Sequence, residues 1–232
     1  MDKQSFSKRI LLGITGEVSS DWKAKLDEIN EMKISEIAVF LERFNKRERE
    51  NFYPFLLKSS IKKVPFVHLT ADTTKEEIKF FINKFQTRYF NIHESDFDDL
   101  DKWKGFWDKL YLELDYSDQV AKEVKVERIG GFCVDLSHLK ASLARGGEEA
   151  YYIFLRKNKG KFSCNHLNGY SPGLMTDIHT ISSLRDFDYL TSLPKYVFGK
   201  AIALEVMNSI KEQLKFKEYL SRLLDDYFAA IK

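Results

Sequence analysis

The chain holds five histidines, and every one sits where an apolar run breaks off or in the turn just beyond. His68 lies near the end of KVPFVHL and His93 closes RYFNIH; His138 follows GGFCVDL in the order D-L-S-H. His166 lies in FSCNHL, and His179 ends a D-I-H triplet that starts at Asp177. Carboxylates occupy the same kind of place: Glu113 in KLYLEL with Asp115 two residues on, Asp135 in GGFCVDL, and Glu205 in KAIALEV. Imidazole and carboxylate without thiolate form a donor set suited to zinc, manganese, iron or cobalt, and neutral imidazole disfavours magnesium and calcium. Taken singly, each residue has a plain explanation: a histidine at a strand end is usually hydrogen-bonded, Asp135 can cap a turn, and Glu205 can pair with a lysine or arginine. The conjunction is different. Buried carboxylates brought together without a cation cost on the order of several kcal/mol each, and bound metal removes that cost. The candidates are His68, His93, Glu113, Asp135, His138, His166, Asp177, His179 and Glu205, enough for two or three ions with one carboxylate bridging.

Something must bring these residues to one place, and the pattern of the chain supplies it. Apolar runs at 9–14, 36–41, 63–69, 88–93, 109–114, 130–136, 162–167 and 200–206 read as strands. Between several of them lie amphipathic stretches at 21–33, 45–59, 74–85 and 148–158, and a last one at 208–231 closes the chain. In the third stretch Ile78, Phe81, Ile82 and Phe85 recur at helical spacing. Caps are expected at Ser20-Asp21 and Thr73-Thr74. Eight strands alternating with helices predict an α/β fold with a parallel sheet, and eight units match a single (β/α)8 TIM barrel spanning 1–232. An open doubly wound sheet is the alternative, but neither phosphate-loop glycine pattern is present to favour it. In a barrel, functional side chains emerge at the C-terminal strand ends. Strand alternation then points Cys133 with Asp135, Cys164 with His166, and Ala203 with Glu205 inward, each small residue below its polar partner.

Composition bounds the rest. With 232 residues, 44% of them hydrophobic, the chain can build one sizeable core. No apolar run is long enough to span a bilayer, and the charged start MDKQSFSKR carries no signal-peptide core, so the expectation is a cytoplasmic protein. Cys133 and Cys164 lack C-x-x-C spacing and read as reduced, buried small hydrophobes. A net charge of +2 neither demands nor excludes nucleic acid. Nothing in the sequence calls for a protein partner.

The order of these motifs resembles the xylose isomerase-like TIM barrels and, within them, the endonuclease IV family of apurinic/apyrimidinic endonucleases. The likeness runs from about residue 10 to 206 and rests on His68, His93, Glu113, the D-x-x-H of Asp135 and His138, the H-L-N of His166, the D-x-H of Asp177 and His179, and Glu205. It implies three zinc ions: one held by His68, His93 and Glu113; a second shared through Glu113 and held by Asp135, His166 and Glu205; a third held by His138, Asp177 and His179. It also matches Asn45 and Arg47, in the stretch AVFLERFNKR, to a loop that touches DNA. The chain departs from the family at strand one, where GITGEVSS has no histidine, at H-L-N-G, where the family has H-L-N-D, and after D-I-H, where T-I-S-S replaces a glycine-containing turn. No tyrosine closely follows His68.

The resemblance and the donor set together predict a metal-dependent hydrolase of phosphoesters, with abasic-site DNA or a small phosphorylated substrate as its target. Glu113, Glu205 and Asp135 are the expected catalytic carboxylates, and Asn45, Arg47, Arg145 and Arg185 the expected substrate contacts. The rival reading is a sugar isomerase or epimerase. It needs only Glu113, Asp135, His166 and Glu205 around one divalent ion, manganese or cobalt in place of zinc, with two carboxylates moving protons. A non-catalytic barrel is the third class.

Overall fold

The computed structural model describes residues 5–15, 21–114 and 119–230; Ser20 and Asp115 lie outside the described residues. The first segments are β1 (Ile10–Leu11), β2 (Gly13–Thr15), α1 (Asp21–Glu31), β3 (Glu36–Phe40), α2 (Lys46–Lys58), β4 (Lys63–His68), α3 (Lys75–Phe85) and β5 (Tyr89–Ile92). Next come β6 (Leu110–Leu112), β7 (Gly131–Asp135), α4 (Leu136–Arg145), α5 (Glu148–Leu155) and β8 (Phe162–Leu167). A hairpin of β9 (Gly169–Ser171) and β10 (Thr176–Ile178), then β11 (Ala201–Leu204) and α6 (Ile210–Ala229), complete the order.

Nine of these strands form one sheet in the order β1-β11-β8-β7-β6-β5-β4-β3-β2, every pairing parallel. Its two end strands, β1 and β2, are pieces of a single stretch interrupted at Leu12, so the sheet turns back on itself as a TIM-like barrel. At this seam a side chain on Gly13 would collide with the Leu204 carbonyl, 1.9 Å from where its Cβ would lie. Gly13 N–H donates instead to Gln213 Oε1, and Gln213 Nε2 donates back to the Gly13 carbonyl. A fully buried side chain of α6 thereby satisfies backbone that the broken ladder leaves over.

The two faces of the strands divide the core. Ile37, Val39, Val67, Phe90, Ile92, Leu112, Phe132, Val134, Ile202 and Leu204 pack outward under the helices. Leu11, Ala38, Phe40, Phe66, Tyr111, Cys133, Cys164, Ala201 and Ala203 fill the barrel interior. The inward direction expected for Cys133, Cys164 and Ala203 is therefore found, and both cysteines are buried thiols.

The surrounding layer is less regular than eight β/α repeats. Among the described residues no α-helix follows β5, β6 or β8. Glu94–Trp103 forms 3-10 turns instead, with a non-helical Asp99 in the middle, and buries Phe97, Leu100 and Trp103 against the sheet. The hairpin and a 3-10 segment, Leu184–Ser192, cover the connection after β8. The helices that do form are capped from their own sequence. Asn45 and Glu48 make a capping box on α2, Thr74 and Glu77 one on α3, and Ser209 and Glu212 one on α6. Among the described residues, no helix is long and apolar enough to cross a membrane.

One buried ion network locks α2 against α3. Arg49, only 1% exposed, bonds Glu77 at 2.8 Å, Asp72 at 3.0 Å and the Phe44 carbonyl at 2.9 Å. Partial burial pushes the Glu77 carboxyl up, but Arg49, the Thr74 N–H and Tyr53 outweigh it and hold it below its ordinary 4.5. The stabilisation from Glu77 is thus fully present above pH 4.5 and fades as pH falls through the lower folded value. We expect Arg49→Met to lower stability by about 3 kcal/mol, because it strands a partly buried carboxylate. Asn45→Ala should cost about 1 kcal/mol through the lost cap. Urea unfolding measures both, and equal effects of the two substitutions would contradict the network's role.

Candidate metal centre

The residues at the C-terminal strand ends repeat the inward register one step above the apolar layer. His68 stands two residues beyond Phe66, Glu113 beyond Tyr111, Asp135 beyond Cys133, His166 beyond Cys164 and Glu205 beyond Ala203. Asp135 pairs in register with His166, and Phe40 with His68. All of the inner members are almost inaccessible: His166 is 0% exposed, His68 1%, Asp135 2%, Glu113 3% and Glu205 8%.

The sequence folds locally so as to aim them. Asp135 is the N-cap of α4, and its Oδ1 accepts from the Ser137 N–H and hydroxyl and from the His138 N–H. That leaves Oδ2 turned to the cluster, where Asn168 Nδ2 donates to it at 3.0 Å. The same Asn168 amide lies 3.3 Å from Glu205 Oε2. Asn91 Nδ2 holds Glu113 Oε2 at 2.5 Å. Phe40 and Phe66 stand against the His166 ring, with centroids 5.1 and 5.3 Å away.

At the centre, His166 Nδ1 lies 3.0 Å from Glu113 Oε1 and 3.2 Å from Glu205 Oε2. His68 Nε2 is 3.8 Å from Glu113 Oε2, and His68 Nδ1 is 3.7 Å from Glu42 Oε2. The ring of His93 lies 4.8 Å from that of His68. Among the described residues, four groups of three donors come within 4.8 Å of one another: Glu42, His68 and His93; His68, Glu113 and His166; Glu113, Asp135 and His138; Asp135, His166 and Glu205. Two ligands each about 2.1 Å from a tetrahedral ion stand about 3.4 Å apart, so these separations suit a shared cation.

The electrostatics agree with the donor set. Burial drives the His68 pKa down to about 3, leaving a neutral imidazole, the form that ligates metal. Burial also pushes Glu113 up, but His166, His93 and His68 outweigh it and hold its carboxyl well below the ordinary range. The reverse contest, desolvation against Glu113 and Glu205, leaves His166 well above its usual value. Both ring nitrogens of His68 and both of His166 are buried without a hydrogen-bond partner among the described residues. Carboxylate oxygens approach the His166 ring to 3.0 Å, yet off the direction a hydrogen bond requires. Orphaned buried nitrogens of this kind are rare in folded proteins. A divalent ion between the two rings can take one nitrogen from each, so the residues fit one.

Asp177 and His179 sit differently. They pair with each other at 2.6 Å, and His138 Nε2 stands 3.9 Å from Asp177 Oδ2. The His138 ring beside it and the His179 ring bonded to it depress Asp177 strongly. Despite burial, the carboxylates around them lift His138 to about 10 and His179 to about 9. His138 belongs to one donor group, while Asp177 and His179 belong to none of the four.

Glu42 is a member of the site that the sequence pattern does not announce. It stands two residues beyond Phe40, the spacing that marks His68, Glu113, Asp135, His166 and Glu205, but the charged run E-R-F-N-K-R around it reads as a solvated loop. Asn91, Asn168 and a buried Glu149, pushed up by burial to about 8, also face the cluster. Of the expected substrate contacts, Asn45 is engaged as the α2 cap, and Arg47 is exposed in the first turn of that helix. Arg145, in the last turn of α4, donates to the Met175 carbonyl, and Arg185 is exposed in the 3-10 segment after β10. The arginine that lines the mouth, with Thr15, Glu42, His179 and Glu205, is Arg43.

No protein-family model matches the chain, and no curated protein matches its sequence.

Zinc at a hundredfold excess over its Kd should stabilise the folded state by about 2.7 kcal/mol. For a chain of this size that is a rise in Tm of about 5–10 °C. The rise should vanish in the His68→Ala/His166→Ala double variant and reverse with chelator, as followed by scanning fluorimetry. An equal rise in the variant would place the bound metal elsewhere.

Proposed function

We propose that the barrel is a divalent-metal-dependent hydrolase of phosphoesters. The observation that carries this reading is the overlap of the donor groups: Glu113 and His166 each belong to two of them. One ion does not need that many ligands, whereas two ions sharing Glu113 do. His68, His93 and Glu113 would hold one and Asp135, His166 and Glu205 the other, with Glu113 shared between them and Glu42 at the outer side. Zinc is the first choice for such ligands, with manganese or cobalt the alternatives. Bound there, the ions supply Lewis acidity toward a phosphoryl oxygen and make water acidic enough to attack near neutral pH.

The protein's own groups supply the rest. Asn91 and Asn168 hold Glu113, Asp135 and Glu205 in one orientation before any substrate arrives. Glu42 is 40% exposed at the lip, while Glu113 and Glu205 are at most 11% exposed. It is the carboxylate best placed to take a proton from the attacking water and pass it to solvent. Arg43 lines the same mouth and presents a guanidinium to the phosphate. The resemblance to endonuclease IV names abasic-site DNA as the substrate; a small phosphorylated molecule needs the same chemistry.

A second reading, a sugar isomerase or epimerase, draws on the pairing of Asp177 with His179. Those two residues satisfy each other at 2.6 Å, which leaves the smaller buried set of Glu113, Asp135, His166 and Glu205 around one ion.

Elemental analysis of the purified protein separates the two, together with turnover of a generic phosphodiester and of an abasic-site duplex. The hydrolase should carry two or more ions and cleave at least one ester. Glu113→Gln should then lower kcat by at least about a hundredfold, and Arg43→Ala should raise KM more than it lowers kcat. A single ion, no ester cleavage, and interconversion of an aldose with its ketose would instead establish the isomerase.

A further inference from the structure

The opposite mouth of the barrel carries a second candidate site, independent of the metal reading. A cavity of about 490 Å³ opens at the N-terminal ends of the strands. Its polar lining includes six cations, Lys8, Arg9, Lys63, Arg88, Lys200 and Lys217, against one carboxylate, Glu36. Tyr89, Leu11 and Ala201 also line it. The sequence builds this rim by a recurrent device: Arg9, Arg88 and Lys200 immediately precede β1, β5 and β11, and Lys63 is the first residue of β4. Parallel pairing then brings these strand starts to one end of the barrel.

The bland explanation is solubility, with strand-start cations simply solvated. Among the described residues, Lys8, Lys63, Arg88 and Lys200 make no ion pair with a carboxylate, and their placement counts against it. The charges surround a concavity, and low-dielectric walls focus their field into it. Arg9 is fixed there as a permanent charge, its guanidinium donating to the Phe198 and Gly199 carbonyls and lying over Phe6. Burial holds Lys217 below its ordinary value, a desolvation cost that an anion bound beside it would offset.

We infer that this cavity is a binding site for a small polyanion bearing two or more phosphate groups. Its volume falls within the roughly 300–1,000 Å³ of small-molecule sites. The forked donors of Arg88 suit a phosphate edge, and lysines at neighbouring strand starts suit further phosphate oxygens. A monocarboxylate would leave most of the rim charge unmet.

Calorimetric titration of the full chain with sodium tripolyphosphate at low ionic strength tests the site. Lys63, Arg88 and Lys200 are exposed, so their replacement should leave the fold intact, as a thermal melt will confirm. Wild-type protein should bind one equivalent, with affinity falling as added salt shortens the Debye length below about 10 Å. Arg88→Ala/Lys200→Ala should weaken binding at least about tenfold, and Lys63→Glu should weaken it further. His68→Ala/His166→Ala should bind as wild type does. Absence of saturable binding, or binding that the rim substitutions leave untouched, overturns the inference; loss only in the histidine variant would place the anion at the metal mouth.

Discussion

Three carboxylates, those of Glu113, Asp135 and Glu205, are packed at one mouth with at most 8% exposure. Carboxylates cannot stay ionised in such a place without positive charge beside them. Among the described residues, the side chains that stand beside them and can carry positive charge are histidines. His166, lifted by Glu113 and Glu205, can carry one proton, while His68 is held neutral by burial and neighbouring imidazoles. His138 and His179 spend their charge on Asp177 and Asp135. One imidazolium therefore faces Glu113 and Glu205 both held below their ordinary range, with Asp135 forced upward by burial. A divalent ion there would replace that single proton with two charges and give each of the two rings a partner. The case for metal is thus one of charge balance before it is one of catalysis.

The barrel meets this constraint by stratification. Strand alternation places a residue of one inward column every second position, so an apolar or small residue two positions below each ligand fixes the height at which the ligand emerges. Cys133, Cys164 and Ala203 are small, which leaves room for Phe40 and Phe66 to fill the interior beneath His166. Asp135 shows how tightly fold and site are joined. One of its oxygens starts α4 and the other faces the cluster, so the helix and the ligand orientation cannot vary separately.

The strands were legible in the sequence because parallel strands buried on both faces are continuous apolar runs, and the polar residue that ended each run marked the site as well. The elements that could not be read share a cause. Helix α4 begins on Asp135, which the alternation assigns to a strand, and so the two periodicities overlap on one residue. Glu94–Trp103 carries helical spacing of Phe97 and Leu100 but too many acidic residues to hold α geometry through Asp99. Glu42 was hidden by the charged residues that follow it, although its offset from Phe40 was the same signal that marked Asp135 and His166. Asn45 carried the opposite lesson: Glu48 stands three residues on, the spacing of a capping box, and that local role accounts for its amide.

The two mouths of the barrel differ in make-up: one mixes carboxylates with histidines and Arg43, and the other sets six cations against Glu36. Strands of five or six residues separate them by about 17–20 Å, some two Debye lengths at physiological salt, so each mouth presents its own field to solvent. On the hydrolase reading proposed above, entry of an anionic phosphoester at the histidine mouth would depend on the positive charge that divalent ions bring there beside Arg43. The cationic mouth has no such requirement, because its charge is covalently built into the strand starts. On the inference drawn for it, a polyphosphate would bind at the lysine and arginine rim whether or not the histidine mouth is loaded, and the strands that carry both ends give the barrel a rigid connection between them.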